Sequence, residues 1–464
     1  MSKNKKEQKL WGGRFLRSTS PQVEAFTHSL SVDQRLAKQD LLGSIAHAQM
    51  LGKTAIIPRS DARRIVEGLK SLLRDLDRGK LDLDQNSEDI HTALQNALER
   101  RIGKAAQRLH TARSRNDQIV TDLRLYCKEQ IQLQQAQILK LQQTILGQAQ
   151  RAGLLVLPGY THLRHAQPLL AAHLFLSYAA ALQRDWERLE AAYRHTDELP
   201  LGSGALTGSG LATNRKLIAQ RLGFSGIMEN SVDAVTSRDF AGEILSALSL
   251  LGVHLSRIAE DLLLWSTSEF GFLRFGEEML TGSSMMPQKQ NPDFLELVRA
   301  NSARLIGNLT SLLALLKGLP SGYQRDLQLD KEILFDSLDR SEAMLGILAQ
   351  GISTIRWNPN RISQQLQENA LYATDLAEYL VARGVPFSQA HQAVGQLLQF
   401  SEQKKKPLRA LPLPDWRRFS PAFGADVLRL LDPQASVRQK KSSGSTNPRL
   451  VLQAIRRWKI KLGR

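Results

Sequence analysis

The sequence predicts a mainly α protein whose core is a bundle of long helices. Three observations carry that expectation. Nearly every long segment repeats its apolar residues at three- and four-residue spacing, alternating strand-like runs are few, and three periodic stretches are unusually long. The stretches are 118–152, 238–270 and 293–317, each roughly 35–50 Å at 1.5 Å rise per residue. In the second, Ile244, Leu248, Leu251, Leu255, Ile258, Leu262 and Trp265 make one stripe. Helices of this length carry more apolar surface than a lone three-helix core covers, so the bundle is expected to continue between subunits.

The elements follow in order. Up to about Ser114 the chain reads as several moderate helices, one announced by Pro58-Arg59-Ser60-Asp61 with Ser60 as the cap of 62–76. Asn86 and Ser87 read as another helix start, and Ser114-Arg115-Asn116-Asp117 has the spacing of a capping box before the first long helix. From about Ser363 a smaller helical region runs to a basic tail, and no internal repeat is visible. The expected partition is an N-terminal helical domain over 1–115, a central long-helix domain over 116–365, and a small helical domain over 366–464.

Composition narrows the class. A chain of 464 residues is long enough for a large core divided among two or three domains. The most apolar run, 244–265, is interrupted by Ser246, Ser249, His254, Ser256, Arg257, Glu260 and Asp261, which argues against a membrane span. The single cysteine, Cys127, excludes an intrachain disulfide framework and any multi-cysteine metal site. A basic, polar N-terminus without an apolar signal core reads as cytoplasmic. The net charge of +17 raises the possibility of a nucleic-acid partner. Much of the excess sits at the edges (Lys3, Lys5, Lys6, Lys9, 404–406, Lys440, Lys441, and five cations from Arg456 to Arg464), where charge is usually solvated surface. With neither zinc-finger spacing nor the aromatic-basic strands of an RNA-binding sheet, no nucleic-acid partner is expected.

Function is most legible in Thr281-Gly282-Ser283-Ser284-Met285-Met286-Pro287-Gln288-Lys289-Gln290-Asn291-Pro292-Asp293. Gly282 permits a backbone excursion while Pro287 and Pro292 stiffen the later part of the segment. That mixture suits a loop that closes over a negatively charged substrate and delivers a hydroxyl. The segment resembles the signature loop of the fumarase/aspartase superfamily. Other segments narrow the resemblance to the argininosuccinate lyases: 10–15 (Leu-Trp-Gly-Gly-Arg-Phe), 87–91 (Ser-Glu-Asp-Ile-His), 110–117 (His-Thr-Ala-Arg-Ser-Arg-Asn-Asp), 158–163 (Pro-Gly-Tyr-Thr-His-Leu), and Asp326-Leu327-Gln328 with Lys331. They occur in the family's order from Leu10 to the C-terminal region.

The resemblance implies a three-domain, mainly α fold and a homotetramer whose active sites draw on several subunits. It implies release of fumarate from argininosuccinate to leave L-arginine, with no cofactor and no metal. A proton leaves the carbon beside a carboxylate, so the site needs a base, a cradle for the growing negative charge, and an acid for the departing nitrogen. By resemblance Ser283 is the base, with Lys289 and loop amides stabilising its alkoxide. His162 is a second acid/base residue, and Glu296 orients it, although Asp293 and Glu296 also have capping-box spacing. Lys289, Asn291 and Thr161 face the fumarate portion, joined by the basic-polar cluster Ser114, Arg115 and Asn116. Arg238 matches the family too, and a structural ion pair explains it nearly as well. For the arginine portion the matched residues are Ser29, Asp33, Tyr323, Gln328 and Lys331, while Asp89 and His91 match a further site segment.

Some positions depart from the family pattern. Gln290 replaces a second lysine, Arg164-His165 stands where Gln-Arg is usual, and Val232 and Val235 occupy variant positions. The run Gly202-Ser203-Gly204 to Gly208-Ser209-Gly210 lacks the preceding strand and lysine of a phosphate cradle, and resembles the family's own glycine-rich loop. Three other readings stand beside the lyase: adenylosuccinate lyase chemistry, a non-catalytic scaffold like the lens delta-crystallins, and a basic nucleic-acid binder.

Overall fold

A computed structural model of the chain describes residues 19–463; the 10–15 segment and the N-terminal lysines lie outside the described residues. In chain order the main helices begin with α1 (Ala37–Lys53), α2 (Arg59–Asp77), α3 (Ile90–Ile102) and α4 (Arg115–Ala152). The hairpin β1 (Val156–Thr161) and β2 (Arg164–Leu170) comes next, then α5 (Ala171–Thr196), α6 (Asp239–Ser266), α7 (Asp293–Leu316) and α8 (Asp330–Ser353). The chain ends in α9 (Ala373–Val381), α10 (Phe387–Lys404) and α11 (Pro448–Lys461). The protein is mainly α, and strands among the described residues form only three two-stranded sheets. No described helix is long and apolar enough to cross a membrane.

The three long periodic stretches are the helices α4, α6 and α7, with ends shifted by a few residues. Two further long helices, α5 and α8, escape the sequence reading. Both interleave alanine or charged residues among the apolar ones, which blurs the stripe while leaving helix propensity high. The capping box before α4 forms as its spacing predicts. The Asn116 amide donates to Ser114 Oγ at 3.2 Å, and the Ser114 amide donates to Asp117 Oδ1 at 3.0 Å. Two other expected starts are corrected. Helix α2 begins at Arg59 behind an extended Pro58, so Ser60 lies inside its first turn. The cap of α3 is Asp89, whose Oδ1 accepts the Thr92 amide at 2.6 Å, rather than Asn86 or Ser87.

The chain divides into two compact units. One comprises Met1–Gln134, Glu187–Ser249 and Arg304–Arg340; the other comprises Gln135–Trp186, Leu250–Ala303 and Ser341–Arg464. The core of the first joins α1, α2 and α3 through Leu41, Met50, Leu51, Ile65, Leu69, Ile90, Leu94 and Leu98. Each such burial contributes about 1.5–3 kcal/mol. Helices α1 and α2 approach so closely that a Cβ on Gly52 would lie 2.5 Å from the Ala62 Cβ.

In the second unit, Trp357 packs edge-on to Phe175 at 5.8 Å and against Trp265 at 6.3 Å. A separate aromatic group in the C-terminal region packs Trp416 edge-on to Phe423, their centroids 5.3 Å apart. The whole predicted stripe of α6, from Ile244 to Trp265, is buried. On other faces of the long helices large apolar residues remain exposed: Leu133, Leu139, Leu250, Val253, Leu297, Ile306 and Leu313.

Candidate active site

In the first unit, the start of α3, the start of α4 and two loops converge. The Ser29 hydroxyl donates to Asp33 Oδ2 at 2.6 Å, and Asp33 Oδ1 accepts the Ile90 amide at 3.0 Å. The segment 29–33 is therefore tied to the first turn of α3. Arg115 joins that turn from α4: its Nε lies 3.5 Å from Asp89 Oδ2, Nη2 donates to Thr92 at 3.1 Å, and Nη1 donates to Gln118 at 3.0 Å. Arg325 donates to Glu88 at 2.9 Å, to the Thr27 carbonyl at 2.8 Å, and to Gln328 Oε1 at 3.2 Å. Burial pushes the Tyr323 hydroxyl pKa upward, and the charges it senses are those of Asp330, Arg238, Arg325 and Asp89. Ser29, Asp33, Asp89, Arg115, Tyr323 and Gln328 thus gather around one place.

Three of the expected residues in this unit are committed to partners within the protein. His91 is buried, its Nδ1 donates to Asp40, and the same atom lies 3.6 Å from Asp122 Oδ2. Asp40 also accepts from Gln118 at 2.7 Å and from Ser44 at 3.0 Å. Burial alone would raise the Asp40 pKa; the His91 bond and the charges of His91, Arg113 and Arg115 outweigh it and bring it down to about 2. Asp122 moves the other way, raised by burial and by the neighbouring Asp40 charge. The donor atoms of Asp40, His91 and Asp122 lie within 4.8 Å of one another, a spacing that would suit a cation, and here the imidazole proton bridges to Asp40. Arg238 and Lys331 converge on the buried Asp330, at 2.5 Å and 2.8 Å. That is the structural ion pair left open for Arg238, with Lys331 as a third member.

The glycine-rich loop is anchored to the start of α4. Asn116 Nδ2 donates to the Ala205 carbonyl at 3.0 Å, and Asp117 Oδ2 accepts the amides of Gly202 and Gly204 at 3.0 and 2.8 Å. Burial raises the Asp117 pKa to about 6 against the opposing pull of those amides.

The second unit carries the acid/base candidates. Thr161 pairs with Arg164, so the hairpin turn is His162 and Leu163, at φ 53° and 56°. Two left-handed residues in a two-residue turn define type I′, which usually takes Asn-Gly. Histidine and leucine are strained there, and both are exposed. Pro158 and Gly159 lie inside β1, where a Cβ on Gly159 would meet the Gln167 carbonyl oxygen at 2.5 Å.

The signature loop leaves and returns at one point, because Thr281 and Asn291 exchange backbone hydrogen bonds of 2.9 Å in both directions. Within it the Ser283 hydroxyl accepts the amides of Met285 at 3.3 Å and Met286 at 3.1 Å. Gly282 is not in the left-handed region, and a Cβ there would meet nothing within 4 Å, so its expected backbone excursion is absent. Lys289 is exposed, as is Glu296 in the first turn of α7; the Asp293 carboxylate accepts the Thr281 hydroxyl. Among the described residues of this unit, no hydrogen bond or ion pair joins His162, Ser283, Lys289 and Glu296 to one another.

Asp40, Asp122, Arg113 and Asp330 were missed by the sequence reading. Their only signal is an acid or arginine at a core-facing position of a helix or its start, such as Asp40 preceding Leu41 and Leu42.

Comparison with known proteins places this geometry. A family model described as lyase matches residues 13–307. The crystal structure of EDDS lyase in complex with formate superposes with a TM-score of 0.84 at 25% identity, covering 93% of this chain and 87% of that one. The class II fumarase from Schistosoma mansoni shares the fold with a TM-score of 0.75 at 15% identity, covering 88% and 91%. The fold and the loop thus define a lyase of the fumarase/aspartase superfamily.

A second family model, for the argininosuccinate lyase C-terminal region, matches residues 370–438. The argininosuccinate lyase of Desulforudis audaxviator is 45% identical over 98% of this chain and 99% of its own length. That of Syntrophus aciditrophicus is 46% identical over 98% and 97%. The chain belongs to the argininosuccinate lyase family.

Proposed function

We propose that the protein cleaves argininosuccinate to fumarate and L-arginine, as a cytoplasmic enzyme of arginine biosynthesis. The observation that carries this mechanism is the pair of amides donating to Ser283 Oγ at 3.3 and 3.1 Å. Two donors favour the alkoxide over the hydroxyl and so put more of the serine in the form that can take a proton. Ser283, as the alkoxide those amides stabilise, takes a proton from the methylene beside a substrate carboxylate and becomes the hydroxyl. The electrons left on carbon delocalise onto that carboxylate, where Lys289, Asn291, Thr161, Ser114 and Asn116 receive the charge. They then form the double bond of fumarate as the carbon–nitrogen bond breaks. The departing guanidino nitrogen takes its proton from His162, which Glu296 orients. The steps need no metal or cofactor.

The arginine portion is held by Ser29, Asp33, Asp89, Tyr323 and Gln328, which gather in the first unit, while Arg115 beside them binds a substrate carboxylate. His91, Arg238 and Lys331 support that region through Asp40 and Asp330.

The working form is a homotetramer in which loops of different chains complete each site, with the family's three-domain partition at about 115 and 365. The exposed apolar residues of the long helices support association.

The test follows fumarate absorbance with argininosuccinate and, separately, adenylosuccinate, for the unmodified protein and Ser283→Ala. Turnover of argininosuccinate alone, lost in Ser283→Ala, is the expected result. Turnover of adenylosuccinate alone reverses the substrate assignment, and no turnover of either removes the lyase reading.

A further inference from the structure

The turn that carries His162 is strained at both of its positions, and something must hold it. Side chains other than Gly, Asn or Asp resist the left-handed region, at a cost of roughly 1–2 kcal/mol each. Neither His162 nor Leu163 gains compensating burial, since both are exposed and Leu163 is 74% accessible. Within the chain, the restraint therefore comes from the strands beneath the turn.

One cross-strand pair stands next to it. Tyr160 is the register partner of His165, one position below the closing pair Thr161 and Arg164. The Tyr160 hydroxyl and His165 Nε2 share a hydrogen bond of 2.9 Å, and the two rings lie 4.9 Å apart. On its other side Tyr160 packs against Phe270 at 5.5 Å and Phe272 at 6.5 Å, and those two rings meet edge-on at 5.5 Å. This segment is itself fixed, because the Phe272 carbonyl accepts the Asn358 amide at 2.8 Å and the Phe270 carbonyl accepts Arg361 Nε at 3.1 Å. A chain of contacts thus runs from the second unit's core through Tyr160 to His165, spanning both strands just below the turn. The bulge between Pro158 and Tyr160 sets this register, since it decides which face of β1 carries Tyr160.

We propose that Tyr160 and His165 are positioning residues for His162: their cross-strand hydrogen bond, braced on Phe270 and Phe272, holds the strained turn in the geometry that aims His162 at its substrate. The proposal rests on the acid/base role of His162 given above. It also gives a use to His165, which stands where the family pattern has arginine. An arginine would place a flexible cation there, whereas the imidazole ring both packs on the tyrosine and shares a fixed hydrogen bond.

Four variants test this: Tyr160→Phe, His165→Ala, His162→Asn, and Tyr160→Phe combined with Leu163→Gly. Each is assayed for kcat and KM with argininosuccinate and for thermal melting. Tyr160→Phe keeps the ring packing and removes only the hydrogen bond, so its fold is secure. The expected result is a fall in kcat on the order of tenfold in Tyr160→Phe and His165→Ala, with KM changed by less than about twofold. Glycine at 163 removes part of the turn's strain, so the combined variant should recover most of the lost kcat.

Wild-type kcat in both single variants overturns the proposal. So does a loss of kcat that tracks a lower melting temperature and is not recovered by Leu163→Gly, since that is a structural role only. Full turnover in His162→Asn removes the role of His162, and the positioning of it falls as well. An inactive His162→Asn beside a normal Tyr160→Phe overturns the positioning alone.

Discussion

Ser283 Oγ lies 3.1 Å from the amide nitrogen of Met286 and accepts its hydrogen bond. The hydroxyl is thereby held in place by backbone and not by another side chain, so its environment survives changes elsewhere in the loop. Removing the oxygen in Ser283→Ala removes the base and nothing that supports the fold. The expected outcome is a fall in kcat of at least about a thousandfold, with melting temperature and oligomeric state unchanged. Single-turnover fumarate release checks it; a fall of less than about tenfold would exclude Ser283 as the base.

Arg115 makes contacts with three side chains through one guanidinium: Asp89, Thr92 and Gln118. Lysine keeps the charge and offers a single point of contact in place of the planar fork. Arg115→Lys is therefore expected to raise KM for argininosuccinate by on the order of tenfold, with a smaller effect on kcat. Equal KM in variant and parent would mean that the charge alone matters there.

Much of this was legible in the chain and some was not. The stripe from Ile244 to Trp265 is local and periodic, so it reads directly as a helix face. The capping box of Ser114 and Asp117 reads equally well, because its partners are three residues apart. The ion-pair hub at Asp330 does not, since Arg238 comes from 92 residues away and nothing local marks the pairing. The turn at His162 shows the opposite failure: Pro158-Gly159 is the stronger turn signal, yet the register Tyr160–His165 and the bulge move the turn to two residues that disfavour it. Tertiary packing on Phe270 and Phe272 outweighs the local preference.

Asp330 holds two cations, Arg238 and Lys331, all three buried. Deleting the acid strands both positive charges without solvent. Asp330→Ala is expected to cost about 3–5 kcal/mol of unfolding free energy, the range for breaking a buried pair. The exposed pair Arg35–Asp339 supplies the control, because Asp339→Ala is expected to cost no more than about 1 kcal/mol. Urea unfolding of both variants at one protein concentration checks the contrast, and equal losses would contradict it.

His47 gives the acid side of the stability profile. It is fully buried, its Nε2 donates to the Thr111 carbonyl at 2.9 Å, and its Nδ1 has no hydrogen-bond partner. Burial, with the charge of Arg113 beside it, lowers its pKa from 6.5 to about 3. The native state therefore refuses a proton that the unfolded chain accepts. Above pH 6.5 neither state is protonated and the residue costs nothing; as the pH falls from 6.5 toward 3 the unfolded state gains the proton first and stability drains away. His110, lowered to about 4 by burial and by Arg113 and Arg115, acts in the same direction over the upper part of that window. Each such group contributes about 1.4 kcal/mol per pH unit to the slope. His47→Gln retains a donor toward Thr111 without a titrating ring, so its unfolding free energy should fall less steeply with acid, by up to that amount per pH unit. Urea titrations at several pH values between 6.5 and 4 measure the difference, and parallel slopes for parent and variant would show that His47 is protonated in the native state after all.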